Sequence, residues 1–256
     1  MTSTVVLALS PTLSAGDHTA TATLTDENNC STSTTTFTVH VDELPSATFT
    51  NATICEGELN FSTTATVSVG KYPIELSVAV GDQTLFATLN SASDLSKTLT
   101  LESTLAAGSY AATVKMTDAN GCEGTANFTL KVDANPVVSF DNKVICANET
   151  QFISDYTVSA GQYPIAYTMS IGGHNFSGSI TDAAGSKTFD LGTTLAAGTY
   201  PATFNFTDAN GCTGSCSFQL TVNALSEVTF TDAAICADAT SVSTVATIVA
   251  GNTDIH

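Results

Sequence analysis

The hexapeptide TDANGC stands at residues 117–122 and again at 207–212, and a near copy, TDENNC, at 25–30. Cys30 and Cys122 are 92 positions apart (122 − 30), and Cys122 and Cys212 are 90 apart (212 − 122). A period near 90 is the length of one small β-domain. The chain therefore reads as a tandem array, whatever its total length suggests.

One full period shows what each unit is made of. In LNFSTTATVSV, Leu59, Phe61, Thr63, Ala65, Val67 and Val69 fall on one face, and Asn60, Ser62, Thr64, Thr66 and Ser68 on the other. This period of two marks a strand with one buried side. SATFTNATI before it is extended, CEGE is a corner, and GKYP turns the chain because proline has no place in a central strand. IELSVAV and TLFATL flank GDQ as a hairpin, and KTLTLEST is a further strand. YAATVKMT points Tyr110, Ala112, Val114 and Met116 inward, and CEGTANFTLKV does the same with Ala126, Phe128, Leu130 and Val132. DANG between them is a tight turn, since Asn-Gly tolerates positive φ. The reading is all-β: seven strands per unit, folded as tandem immunoglobulin-like β-sandwiches arranged as a rod. Its boundaries are 1–44 (the last three strands of a unit), 45–135 and 136–225 (whole sandwiches), and 226–256 (the first two strands). The linkers VDELP, VDANP and VNALS are short, which implies stiff neighbours.

Charge narrows the partners. The chain has 24 acidic residues against six lysines, no arginine, and a net charge of −18. Binding to nucleic acid needs cations to displace counterions from phosphate, so DNA, RNA and anionic lipid surfaces are excluded as partners. No apolar run is long enough to span a membrane, so no membrane insertion is expected. The start, MTSTVVLALSPT, lacks a basic region followed by a long apolar core, so no signal peptide is read there. Cysteines at repeated positions point to an oxidising compartment, extracellular or at the cell surface. Sequons at Asn51, Asn60, Asn127, Asn148, Asn175 and Asn205 permit N-glycosylation and do not require it.

The recurring IC-x-G/N-E after a strand, L-x-x-G-x-Y at a corner and D-x-N-G-C at the last hairpin resemble the immunoglobulin-like or PKD-like repeats of giant bacterial surface proteins. Such repeats are common in Bacteroidetes-type adhesins, including gliding adhesins. The resemblance covers nearly the whole chain and implies a stalk or filament, with ligand binding often carried by other domains. The first unit departs from the pattern: His18 stands where Tyr110 and Tyr200 stand, and Asn29 replaces the turn glycine.

The candidate sites are few. Asp118, Asn120, Asp208 and Asn210 echo the start of a Ca²⁺ loop, but the late bidentate glutamate is missing, and a hairpin turn accounts for the same residues. No other cofactor is expected. His18, His40, His174 and His256 show no metal-ligand spacing, and no Ser-His-Asp grouping or phosphate-binding glycine loop recurs, so no catalytic residue is assigned. Tyr110 and Tyr200 follow a corner into a late strand and are expected to pack inward with the hydroxyl on nearby backbone, as in a tyrosine corner. Each unit carries one cysteine at the first corner (Cys55, Cys146, Cys236) and one at the last hairpin (Cys30, Cys122, Cys212). Two pairings stay open. Cys55 bonds Cys122 within its unit, or it bonds Cys212 as a staple from one unit to the next. Cys216 falls on the inward face of its strand as a buried free thiol.

The expected function is a non-catalytic, disulfide-stabilised segment of an extracellular filament or adhesin stalk. Its partners are neighbouring repeats or subunits, head to tail. The alternative is an array of carbohydrate- or protein-binding modules attached to a secreted enzyme. The partial units at the two ends leave two accounts open: the chain is a window on a longer polypeptide, or its ends are completed by another copy.

Overall fold

A computed structural model describes residues 6–8, 12–249 and 251, and every described strand and turn is β-type, with no helix among them. The chain divides into two compact units, Met1–Val132 and Asp133–His256. Unit 1 contains β1 (Gly16–Ala22), β2 (Thr35–Val41), β3 (Ser46–Phe49), β4 (Ala52–Cys55), β5 (Asn60–Val69), β6 (Ile74–Val80), β7 (Gln83–Leu89), β8 (Ser96–Thr100), β9 (Gly108–Thr117) and β10 (Glu123–Asp133), whose last residue crosses the boundary. Unit 2 contains β11 (Val137–Phe140), β12 (Lys143–Cys146), β13 (Gln151–Ala160), β14 (Ile165–Ile171), β15 (His174–Ile180), β16 (Ala184–Asp190), β17 (Gly198–Thr207), β18 (Thr213–Asn223), β19 (Glu227–Phe230) and β20 (Ala246–Val249).

Each unit holds one sandwich of a three-stranded and a five-stranded sheet: β3-β5-β8 with β4-β10-β9-β6-β7, and β11-β13-β16 with β12-β18-β17-β14-β15. This is an immunoglobulin-like arrangement. It has eight strands where the sequence suggested seven, because the first strand breaks in two and its halves join opposite sheets. An asparagine fixes the crossing. Asn51 Oδ1 accepts the Thr129 N–H at 2.9 Å, and Asn142 Oδ1 accepts the Gln219 N–H at 2.8 Å. A buried hydroxyl secures the same bend from within: Thr63 Oγ1 donates to Thr50 O and Ser154 Oγ to Asp141 O, both at 2.7 Å. The peptide bonds Tyr72–Pro73 and Tyr163–Pro164 are cis in both units. The remaining strands form two separate hairpins, β1-β2 and β19-β20.

The two cores use one backbone plan and different fillings. Unit 1 buries mainly aliphatic side chains, among them Ile74, Leu76, Val78, Val114, Met116 and Leu130. Unit 2 buries Phe140, Tyr156, Tyr167, Phe189, Phe204 and Phe206, with Phe140 stacked on Phe204 at 4.0 Å between ring centroids. Room for the larger rings comes from glycine. Tyr167 lies opposite Gly178 and Tyr156 opposite Gly185, where an added Cβ would sit 2.7 and 2.9 Å from the tyrosine hydroxyls.

A second glycine constraint recurs two residues after the last-hairpin cysteine. A Cβ on Gly124 would meet Pro45 O at 2.0 Å, and one on Gly214 would meet Pro136 O at 2.1 Å. The linker proline thus lies directly against its own unit's last strand. Gly124→Ala and Gly214→Ala are each expected to destabilise their unit by about 3 kcal/mol, because backbone must move to admit one methyl group. Gly121→Ala, where a Cβ meets open space, costs only the positive-φ penalty, about 1 kcal/mol. Chemical denaturation of the three variants checks the order.

Candidate functional site

The repeated motifs resolve into turns clamped by carboxylates. Asp118 Oδ1 accepts the N–H groups of Asn120 and Cys122, both at 3.0 Å, and Oδ2 accepts that of Lys71 at 3.2 Å. Asp208 repeats this with Asn210, Cys212 and Gln162, all at 2.9 Å. In the divergent copy Asp26 takes the N–H groups of Asn28 and Cys30 at 2.9 and 2.8 Å, and Asn29 adopts the positive φ that glycine supplies elsewhere. Asp118 and Asp208 are buried. Burial pushes the Asp118 carboxyl up, but the N–H groups of Lys71, Cys122 and Asn120 and the Lys71 charge outweigh it and leave its pKa below the usual carboxylate range.

The first-corner motif works in the same way. Glu58 Oε2 accepts the Cys55 N–H at 2.9 Å, and Glu149 Oε2 accepts the Cys146 N–H at 2.6 Å. The glutamate of IC-x-x-E thus holds the backbone N–H of the cysteine three residues before it. At Cys236 an alanine, Ala239, takes the glutamate's place and the carboxylate clamp is lost.

The structure places the other sequence-derived candidates as follows. Tyr110 and Tyr200 donate their hydroxyls to Ala106 O and Ala196 O at 2.9 and 2.8 Å. His18 makes the same four-residue reach to Ser14 O at 2.7 Å, which accounts for its standing in the tyrosine's position. His40 bonds Asp17 at 2.5 Å with Asp42 at 3.5 Å, and its pKa is raised chiefly by the Asp17 hydrogen bond. His174 sits 3.4 Å from Thr193 Oγ1, and His256 lies outside the described residues. Asn51, Asn60, Asn127, Asn148, Asn175 and Asn205 are all exposed.

Among the described residues no three His, Cys, Asp or Glu side chains gather as a metal site. Asn120 and Asn210 contribute backbone N–H groups to the turns, and the Asp118 and Asp208 oxygens face those amides. Among the described residues no helix is long and apolar enough to cross a membrane.

Cys55 and Cys212 are disulfide-bonded, and Cys30, Cys122, Cys146, Cys216 and Cys236 carry free thiols. The pairing of Cys55 with Cys122 is therefore not formed. Unit 2 shows why a first-corner cysteine cannot reach the last hairpin of its own sandwich. β12 runs parallel to β18 and sets Cys146 beside Asn223, whereas Cys212 precedes the opposite end of β18 at Thr213. A strand rises roughly 3.3 Å per residue, so β18 separates the two by about 30 Å, far beyond the roughly 7 Å that a disulfide tolerates. Cys216 is half-buried against the unit 2 core, and burial raises its thiol pKa.

No family model matches the sequence, and no curated protein is matched. Among solved structures the chain is similar to the fibronectin(III)-like modules of Clostridium thermocellum CbhA, at 15% identity and TM-score 0.35, covering 68% of this chain and 90% of that one. It is also similar to a Ca²⁺-stabilized adhesin that helps an Antarctic bacterium bind ice, at 16% identity and TM-score 0.43, covering 84% of this chain and 60% of that one. A third is a 1.5-MDa bacterial ice-binding adhesin, at 13% identity and TM-score 0.38, covering 75% of this chain and 69% of that one.

Two outcomes test the turns. Asp208→Ala strands three backbone N–H groups and is expected to cost unit 2 roughly 2–3 kcal/mol, while a chelator leaves the thermal midpoint of the parent chain unchanged. For Asp118 the lowered folded pKa means that its ionised form stabilises unit 1 above the ordinary carboxylate pKa of about 4. That contribution is lost as the pH falls through the folded value. Stability measured against pH should therefore fall less steeply on the acid side in Asp118→Asn than in the parent chain.

Proposed function

We propose that the chain is a load-bearing segment of an extracellular filament or adhesin stalk, non-catalytic and stabilised by disulfides. The observation that carries this reading is the use of the repeated polar motifs. The aspartates of D-x-N-G-C and the glutamates of IC-x-x-E hold backbone amides beside cysteines, which suits a scaffold and leaves them unsuited to substrate. Short linkers favour an extended array of sandwiches. Cys55 and Cys212 act as a staple from the first corner of one sandwich to the last hairpin of the next. Such a bond contributes roughly 2–4 kcal/mol. The repeat motifs and the acidic surface fit the gliding-adhesin-like arrays that the sequence resembles.

One observation favours the alternative of a binding-module array. Phe86, on the outward face of β7 in unit 1, is 76% exposed, and a single exposed ring on a sheet is a platform against which a sugar or peptide can stack. Its surroundings are Thr84, Thr88 and, across the strand, Ser77, with no further exposed large hydrophobic on the face.

Antibody labelling of intact source cells, followed by electron microscopy of the labelled material, tests the main reading. Thin surface fibres are the expected result. Label confined to the cell interior, or to compact soluble particles, would sink it. Glycan-array binding that Phe86→Ala abolishes would favour the module array instead.

A further inference from the structure

A trough across the outer face of unit 2 is lined by polar side chains and carries no charge, and we propose that it binds a neutral oligosaccharide or polysaccharide chain. The inference lies wholly within unit 2 and goes beyond the stalk reading, which it neither needs nor alters.

The trough starts where two strands of the five-stranded sheet stop pairing. In unit 1, β6 and β9 stay paired over six residues, Glu75–Val80 against Thr117–Ala112. In unit 2, the equivalent β14 and β17 stay paired over four, Ala166–Met169 against Thr207–Phe204. Pro201 stands on β17 where unit 1 has Ala111, and a proline inside a sheet brings no N–H to the ladder. Ser170 and Thr203 are the first residues past the end of the ladder. Both line two adjoining hollows, of about 450 and 680 Å³. The hollows thus form one trough, which runs from β15 over β14 and β17 to β18. Volumes of this order suit small ligands and short chains.

The same face differs in charge between the two sandwiches. Unit 1 presents Glu75, Lys115, Glu123 and Lys131, and unit 2 has Ala166, Asn205, Thr213 and Thr221 at the same register positions. Phe86 is likewise replaced by Ser177. The fold does not require this neutrality, since unit 1 builds the same sheet with charges, and the whole chain carries a net charge of −18.

What lines the trough is hydroxyl and amide: Thr168, Ser170, Thr203 and Ser217, with Asn175 and Asn205. Hydroxyls and amides both donate and accept, the double capacity that a sugar hydroxyl has. Part of that capacity is already oriented. Ser170 Oγ donates to Asn175 Oδ1, and the Gln219 N–H donates to Asn142 Oδ1, which engages both carbonyl oxygens and leaves the two amide NH2 groups as donors. A charged ligand would give up hydration here without a countercharge, and an anion would also meet the acidic surface. Protein partners bind through aromatic or arginine anchors that pair with anchors opposite, and among the described residues no exposed large hydrophobic lines the trough. A neutral polyhydroxyl chain exchanges hydrogen bonds to water for equivalent ones to the trough. Side chains on neighbouring strands, about 4.8 Å apart, repeat on the scale of a sugar ring.

The test uses the 256-residue chain, made in a bacterial host so that the sequons at Asn175 and Asn205 stay bare. It is applied to an array of β-glucan, α-glucan, mannan and xylan oligosaccharides, with polygalacturonate and heparin as anionic controls. Hits are followed by calorimetry and by NMR chemical-shift mapping. The expected result is binding of at least one neutral glycan and of neither anionic one, with shifts concentrated on β14, β15 and β17. Thr203→Val and Ser170→Ala each remove one hydroxyl and are expected to weaken binding about tenfold. Asn205→Lys installs the residue type that unit 1 carries at that position, so the sheet accepts it, and it is expected to abolish binding. Circular dichroism checks that each variant folds as the parent does. Failure to bind any neutral glycan overturns the proposal. So does binding confined to the anionic glycans, or binding that Phe86→Ala abolishes and Thr203→Val leaves intact. A glycan covalently attached to Asn175 or Asn205 in the native protein would fill the trough and overturns it too. Surface fibres that bind no neutral glycan would leave the stalk reading standing and remove this one.

Discussion

A carboxylate that accepts the backbone N–H of a cysteine is the interaction around which the repeat is organised. It recurs at Cys30, Cys122 and Cys212 through aspartate, and at Cys55 and Cys146 through glutamate. Each clamp fixes a turn whose last or first residue is the cysteine, so the sulfur is aimed by the backbone before any bond forms. Reduced loss of freedom on bonding is what lets a disulfide deliver its stabilisation without strain. The clamp also explains why the motif is so invariant in this chain. Asp118 answers donors from its own turn and, through Lys71, from a second loop, so any substitution loses at least one of the two tasks.

The interior is looser in its demands. Between the units the core changes from aliphatic to aromatic while strand order and register persist. Volume is conserved locally: where Tyr167 and Tyr156 replace smaller residues, Gly178 and Gly185 lie opposite them. Cores tolerate such exchanges when total volume and patterning are kept. The turns cannot be traded in that way, because their donors are backbone amides whose positions the fold dictates. The identical stretches in the sequence are accordingly turns, and the divergent ones are strands.

That contrast sets what was legible in the sequence. Alternation along 59–69 and the inward faces of 110–116 and 126–132 could be read directly, because burial on one side of a sheet imposes a period of two. The tyrosine contacts followed from the corner before Tyr110 and Tyr200. The split of the first strand was not legible. It depends on Asn51 reaching Thr129, 78 residues away in the chain, and an asparagine within N-A-T reads equally well as a glycosylation acceptor. The Pro45–Gly124 and Pro136–Gly214 contacts were hidden for the same reason. Each residue looks ordinary in its own linker or strand, and only the packed geometry shows that a methyl group has no room. The asparagines that suggested a cation loop proved to donate backbone N–H groups, a use that side-chain identity does not announce.

Electrostatics also sorts the cysteines by reactivity. The thiolate is the species that attacks a disulfide, so a raised pKa slows exchange. Burial raises the Cys122 thiol, and the Asp118 and Asp42 charges add to the effect against a smaller opposing contribution from Lys71. The aspartate that shapes the turn thus also holds the thiol in its less reactive form. Cys216 is raised by burial in the unit 2 core with no such anion. A cysteine guarded in this way pairs slowly and, once paired, resists rearrangement by stray thiols at neutral pH, because the sulfur released on attack would be a poor leaving group. Persistence of that kind is what a chain of small sandwiches requires. Each has a modest core of its own, so a covalent bond that persists adds proportionately more to it.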